Sequence, residues 1–185
     1  MTSRFLITGG AGFIGSHLAD QLQKLGAGVV VLDDLSTGRR EHLSAEIEFI
    51  NGSVLDTNLI TKVAKGCTGI FHLAAIASVS KSNEDWIGSH RVNQTGTLAV
   101  FNASRALGGM PVVYASSAAV YGNQRVDRIT EQAVVYGHFL LTAQINLAAN
   151  CTVTLQLLYL ESQILGCDFS TSMDPAKNRP HHIPA

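Results

Sequence analysis

Neither sign of charge is in excess in this chain. Lys and Arg number 13 against 14 Asp and Glu, a formal net charge of −1 over 185 residues. Nothing in that balance calls for nucleic acid or an anionic membrane as a partner. Cysteine is scarce too. Cys67, Cys151 and Cys167 are odd in number and form no Cys-x-x-Cys pair, which fits buried or incidental thiols in a reducing compartment rather than a disulfide framework. No metal site is read either, because the adjacent His181 and His182 sit in a polar tail. Long apolar runs are missing, none reaching the roughly 20 residues of a membrane-spanning helix. The opening "MTSRFLITGG" has no charged leader before a cleavable apolar segment; a secretory leader is not expected, and the cytoplasm is the expected location. Internal repeats and low-complexity tracts are absent.

What is present is apolar and regularly patterned. With 46% hydrophobic and 15% charged residues, the chain suits one soluble globular domain large enough to bury a core. Over the first two-thirds, short apolar runs alternate with longer amphipathic ones. "RFLIT" reads as a strand, and "AGFIGSHLADQLQKLG" enters a helix after a glycine turn and ends on Gly26. "GVVVLDD" is a second strand, continuous in branched residues as a buried parallel strand is. "IEFINGSV" is a third, and "DTNLITKVAKG" a helix with Asp56 as N-cap and Gly66 as its stop. "TGIFHLAA" is a fourth strand, "NEDWIGSHRVNQTGTLAVFNASRALGG" carries a long helix that Trp86 caps or packs, and "PVVYASSAAVYG" is a fifth strand with the loop after it. His72, in an apolar strand, reads as a packed core histidine. Strand–helix alternation predicts an α/β fold, a doubly wound parallel sheet with helices on both faces. After Val135 the pattern changes. "NCTVTLQLLYLESQIL" suits strand or helix equally, and "GCDFSTSMDPAKNRPHHIPA" is polar and proline-bearing.

The stretch "TGGAGFIG" joins the first strand to the first helix. It satisfies both Gly10-x-Gly12-x-x-Gly15 and the wider Gly9-x-x-Gly12-x-x-Gly15. Such glycines let a tight turn form, bring backbone against a pyrophosphate and pack helix closely on strand. Amide groups and the positive end of the helix dipole then face the phosphates. Asp33 ends the second strand, near the offset of about 20 residues at which a carboxylate takes the adenosine ribose hydroxyls. A carboxylate there repels a 2′-phosphate, so NAD is expected over NADP, with Arg39 and Arg40 keeping NADP as a lesser alternative.

"TGGAGFIGSH", "VVVLDDLSTG", "FHLAAIASV", "VNQTGT" and "VVYASSAAVYG", in that order, resemble the extended short-chain dehydrogenase/reductase family, and within it the NAD-dependent sugar-nucleotide epimerases of the UDP-glucose 4-epimerase type. The resemblance covers about residues 3–135 and implies a Rossmann-like fold holding NAD, with hydride shuttled between nicotinamide and a sugar carbon. It implies that Gly9, Gly12, Phe13, Ile14 and Gly15 line the pyrophosphate, and that Asp33, Asp34, Leu35 and Ser36 surround the adenosine ribose. Ser53 and Val54 fall at a motif that touches adenine, with Ser53 in place of its usual acid. Leu73, Ala74 and Ala75 would pass under the cofactor, Asn93 would lie near it, and Ser117 would hydrogen-bond the reacting sugar oxygen. Ala77 stands where many UDP-galactose epimerases carry lysine. Ala118 and Ala119 replace the acids with which related dehydratases eliminate water, which favours epimerisation. A nucleotide sugar is the implied substrate. Family members pair through the long helix and a tyrosine-bearing helix; the second is unrecognisable here, so a homodimer is not firmly expected.

One requirement is unmet. The family's acid–base work uses Tyr-x-x-x-Lys on a helix, one turn apart, the ammonium drawing the tyrosine pKa towards neutrality. Beyond Ser117 the tyrosines Tyr136 and Tyr159 are followed four places on by Leu140 and Gln163, and the only later lysine is Lys177; Tyr121, with Arg125 four places on, belongs to the family's "VYG" turn. Tyr136 is therefore a weak candidate beside Ser117. The genetic code offers a reason. Joining the third base of each codon to the first two of the next, from Val135 on, permits Leu-Arg-Pro-Leu-Ser-Pro-Tyr-Gly-Ala-Asp-Lys, the family's tyrosine–lysine segment. The same step over residues 166–177 permits Leu-Arg-Phe-Phe-Asn-Val-Tyr-Gly-Pro-Arg-Gln, another family signature. Met173 before Asp174 fixes the glycine without freedom, since ATG then GA gives GGA. Two motifs in one shifted register, in order, imply an out-of-frame translation beginning near residues 134–136. The expected organisation is a NAD-binding domain over 1–135 and an atypical tail over 136–185, a truncated fold without a complete substrate domain. Function then divides between a crippled epimerase and a non-catalytic NAD-binding fragment, with another reductase or dehydratase of the family behind them.

Overall fold

Five short strands align in one direction at the centre of the described residues. The structure, a computed structural model, describes residues 3–117, Tyr121 and Thr130, all within the first of the chain's two units, Met1–Thr154. Strand β1 (Arg4–Thr8) is central, flanked by β2 (Gly28–Asp33) and then β3 (Glu48–Asn51) on one side. On the other side lie β4 (Gly69–His72) and β5 (Val112–Tyr114), giving the order β3-β2-β1-β4-β5. Every pairing is parallel, with Leu6 opposite Val30 and Ile70, and Ile7 opposite Val31 and Phe71.

Successive side chains on a strand point to opposite faces, and here both faces are covered. Leu6, Val30, Leu32, Ile70 and Val112 pack on one side with Ile60 and Ala64 of α2 (Thr57–Ala64) and Val100 and Ala103 of α5 (Thr97–Ala106). Ile7, Val29 and Val31 pack on the other with Ala19 and Leu22 of α1 (Phe13–Lys24), Leu43 and Ile47. That two-sided burial is why the strands read as unbroken apolar runs. Each fully buried aliphatic side chain contributes about 1.5–3 kcal/mol. The expected doubly wound sheet is the one observed.

Helix α2 begins where the sequence indicated, with the Asp56 carboxylate accepting the Leu59 amide at 2.9 Å. The long helix expected within 83–109 is observed as a continuous helical run from Trp86 to Ala106, and it begins only after a break. The structure has α3 (Val79–Glu84), then a break at Asp85 (φ −136°, ψ 84°), then α4 (Trp86–His90). Asp85 caps α4 by accepting the Gly88 amide at 2.8 Å, so Trp86 is not the cap, and at 76% exposed it does not pack either. A carboxylate satisfies an orphan helix amide and an indole does not, which is why the break falls at the aspartate. Between α4 and α5 the helix continues through a π turn, Arg91–Gly96.

Candidate functional site

Parallel strands put all their carboxyl ends on one edge. The segments leaving that edge are the glycine turn after β1, residues 33–36 at β2, 52–54 after β3, 73–75 after β4, and 115–117 after β5. Chain order reverses between β1 and β4, the place where open sheets of this kind bind ligands.

At two positions of the glycine turn a side chain would run into backbone. Gly9 has φ +71°, and a Cβ on it would come within 2.6 Å of the Ala74 amide nitrogen. Gly15 is buried on α1, where a Cβ would run into the Gly9 carbonyl oxygen and lie 2.6 Å from Gly10 Cα. The turn is therefore wedged between α1 and the segment after β4. Gly12 is the N-cap of α1 and has no side chain to cap it, which leaves the first-turn amides of Phe13, Ile14 and Gly15 without an intrahelical acceptor. Phe13 and Ile14 are exposed, and no acidic residue stands in that first turn. Such an end suits an anion of the size and charge of a pyrophosphate.

Asp33 reaches this turn directly. Its Oδ2 accepts the Ala11 amide at 2.9 Å and its Oδ1 accepts the Leu35 amide at 2.8 Å. An ionised carboxylate has about four acceptor positions, so each oxygen keeps one for a hydroxyl. Leu35 takes φ +59°, and the exposed Asp34 accepts the Ser36 amide at 2.9 Å, which folds residues 33–36 into a tight corner beside the turn. Two further bonds, unforeseen from the sequence, close the corner. The Ala11 carbonyl accepts the Arg39 amide at 3.0 Å and the His42 ring Nδ1 at 3.0 Å. Arg40 is committed elsewhere, donating to the Leu43 and Ser44 carbonyls and lying over Phe49. Of the two arginines that kept NADP in view, only Arg39 has a guanidinium without such an engagement among the described contacts.

The Gly52 amide bonds to the Asp33 carbonyl at 3.1 Å, setting the 52–54 loop beside the corner. Within it the Ser53 hydroxyl accepts the Leu55 amide at 3.2 Å, and the Val54 side chain is buried in the core, so Val54 meets a ligand only through its backbone. Leu73 and Ala74 are half-buried and Ala75 is exposed, the Leu73 amide bonding to the Thr8 carbonyl at 2.9 Å. Asn93 grips the Ile76 backbone at both ends, accepting its amide at 2.7 Å and donating to its carbonyl at 3.0 Å. Ser117 is exposed just past β5. Tyr136, Ala118, Ala119 and the whole of 136–185 lie outside the described residues.

His72 is buried, as expected of a core histidine. It is also hydrogen-bonded on both ring nitrogens, to Thr8 and Thr97. Burial pulls its pKa down to about 4 from 6.5, keeping the ring neutral. No sequence motif announces this arrangement, because it joins residues from three elements. Among the described residues no three His, Cys, Asp or Glu side chains gather as metal ligands, and no helix is long and apolar enough to cross a membrane.

Residues 5–143 match the model of the NAD dependent epimerase/dehydratase family. Curated relatives include a UDP-glucose 4-epimerase from Mycolicibacterium smegmatis, 44% identical over 126 residues, which are 64% of this chain and 40% of that protein. Another is a UDP-glucose 4-epimerase from Streptomyces lividans, 37% identical over 140 residues, 72% of this chain and 41% of that one. A UDP-N-acetyl-alpha-D-glucosaminuronate decarboxylase from Bacillus cytotoxicus is 40% identical over 125 residues, 66% of this chain and 39% of that protein. Among solved structures, Thermus thermophilus UDP-glucose 4-epimerase in complex with NAD superposes with a TM-score of 0.70 at 32% identity, over 79% of this chain and 50% of its own. The chain thus spans about 40% of the length of the curated relatives it matches.

Proposed function

The chain belongs to the NAD dependent epimerase/dehydratase family, and on that premise we propose that it carries the NAD-binding part of a nucleotide-sugar epimerase of the UDP-glucose 4-epimerase type. The observation that carries this reading is the direct bond, 2.9 Å, between the Asp33 carboxylate and the glycine turn at Ala11. It joins in one corner the two features a dinucleotide needs. NAD, when bound, would take hydride from a sugar carbon and return it.

This chain's own residues divide the remaining work. Backbone amides at the start of α1 hold the pyrophosphate, with Gly9, Gly12 and Gly15 clearing the space. Asp33 accepts the adenosine ribose hydroxyls, and Asp34, Leu35 and Ser36 shape the corner around them. Ser53 and Val54 border the adenine, Ser53 more weakly than an acid would. Leu73, Ala74 and Ala75 form the floor, held by Asn93. Ser117, leaving the same edge after β5, hydrogen-bonds the sugar oxygen whose proton must move.

What accepts that proton is the weak point. Tyr136 is the nearest tyrosine in sequence to the family's position, and Leu140 four places on has no charge to lower its pKa. We therefore assign this chain NAD binding with no more than trace turnover. The cause we propose is a shifted reading frame from about residue 136, the loss of one nucleotide or gain of two. The family match runs to residue 143, a few residues beyond the proposed shift, and takes in none of 144–185.

Calorimetric titration with NAD tests the first claim: saturable binding is expected, and its absence from folded chain overturns it. A coupled assay converting UDP-galactose to UDP-glucose tests the second, where turnover at the rate of an intact epimerase would refute the loss. Sequencing the gene across codons 130–140 on several clones tests the third, an intact frame throughout ending it. Conversion of a different nucleotide sugar, as the decarboxylase relative brings into view, would move the chain to another branch of the family.

A further inference from the structure

Thr8, His72 and Thr97 come from β1, β4 and α5, and meet in the interior just below the segment 73–76. All three are less than a tenth exposed. Thr8 Oγ1 is 2.7 Å from His72 Nδ1, and His72 Nε2 is 2.9 Å from Thr97 Oγ1. Thr97 Oγ1 is 2.6 Å from the Asn93 carbonyl oxygen, and the Ala74 amide points at Thr8 Oγ1 from 3.5 Å.

The ends of this chain fix the direction of every bond in it. A carbonyl only accepts, so the Thr97 hydroxyl proton goes to Asn93. Thr97 Oγ1 can then only accept from His72, which puts the ring proton on Nε2. A neutral ring has one proton, so Nδ1 accepts and Thr8 donates. The Thr8 oxygen is left to accept the Ala74 amide. Burial keeps the ring neutral across the ordinary pH range, and a second ring proton would turn the Thr8 hydroxyl away.

The other end of the segment is tied as well. The π turn carries Asn93, whose carboxamide spans the Ile76 amide and carbonyl. Residues 73–76 are thus fixed at Leu73 and Ala74 by the buried Thr8 and at Ile76 by the part-buried Asn93. Replacing a satisfied buried polar set by apolar groups of the same shape can be nearly neutral for stability. Stability alone therefore does not require threonine, histidine and threonine at these places.

We propose that His72 and Thr97 are positioning residues, and that the one-way hydrogen-bond chain from Ala74 through Thr8, His72 and Thr97 to the Asn93 carbonyl sets the height of the 73–76 floor on which the dinucleotide rests. This rests on the reading of 73–75 as the floor beneath NAD.

The test uses the full chain. In nitrogen-15 imidazole spectra near neutral pH, His72 is expected with Nε2 protonated and Nδ1 bare; a proton on Nδ1 overturns the chain of bonds. Thr97→Val removes the acceptor at constant shape, and Thr97→Ser keeps it. The Val variant is expected to speed amide exchange at Ala74 and Ile76 about tenfold and to weaken NAD binding by a similar factor, with the Ser variant within about twofold of the parent. Equal behaviour of the two variants overturns the proposal. Should the Val variant fail to fold, Thr8→Val against Thr8→Ser makes the same comparison from the other end. If the parent binds no NAD, the proposed function falls, while the tautomer and the exchange rates still decide the hydrogen-bond chain.

Discussion

Asp33 has two tasks on its two oxygens, and they set what its replacement should do. Each oxygen accepts a backbone amide, one from Ala11 and one from Leu35. Asp33→Asn would place an amide group against one of those N–H donors, leaving a buried donor unpaired at about 1–3 kcal/mol. We expect a lower urea midpoint and NAD affinity weakened tenfold or more by calorimetry; unchanged affinity would detach Asp33 from the site. Gly9→Ala is expected to cost about 2–4 kcal/mol in chemical denaturation, because the φ of +71° and the Ala74 backbone at 2.6 Å both exclude a Cβ. The turn at Gly9 and the acid that ends β2 were legible in the sequence, since a glycine-rich strand-to-helix junction and a carboxylate closing the next strand are both local patterns. His42 and Arg39 were not. Their bonds to the Ala11 carbonyl depend on how a loop returns, and no periodicity encodes that.

At the scale of elements, strands were legible where both faces are buried, because β1, β2 and β4 had no polar alternation to confuse the reading. The long helix after β4 was legible, but its start and the short helix before it were not, because only the capping carboxylate of Asp85 marks the break between them. The π turn was equally hidden, being an extra residue in the ladder rather than a change of composition. Where a cap was legible its worth can be measured: Asp56→Ala should lose about 1 kcal/mol in urea denaturation and leave NAD affinity as it was. The β1–β4–α5 junction makes a pH prediction. His72 titrates near 6.5 unfolded and near 4 folded, so between those values the unfolded chain binds a proton that the folded chain refuses. Its contribution is complete above about pH 6.5 and is lost as pH falls towards 4, at up to about 1.4 kcal/mol per pH unit. Denaturation profiles of the parent should therefore fall more steeply over that window than those of His72→Gln, and parallel profiles would show that His72 is not buried and neutral.

At the scale of the whole molecule, the residues assigned to the cofactor and those assigned to the chemistry occupy different stretches of chain. The cofactor set, Gly9 to Asn93, lies on or beside elements covered on both faces of the sheet. The proton-handling set begins only at Ser117 and needs a cation one helical turn beyond a tyrosine. The sequence from 118 to 185 has its only lysine at Lys177, with no tyrosine four places before it. Binding and turnover should therefore come apart in this chain, which a uniformly damaged enzyme would not do. We expect NAD titration to give a single saturable site on protein whose coupled epimerase rate is at background. A second protein, translated from residue 136 in the shifted register, should keep the same NAD affinity within a few-fold and gain turnover by several orders of magnitude, since general acid–base catalysis contributes about 10²–10⁴. If both proteins bind NAD and neither turns over, the shifted register is not what separates this chain from its relatives. If both turn over alike, Leu140 is no obstacle and the base lies elsewhere.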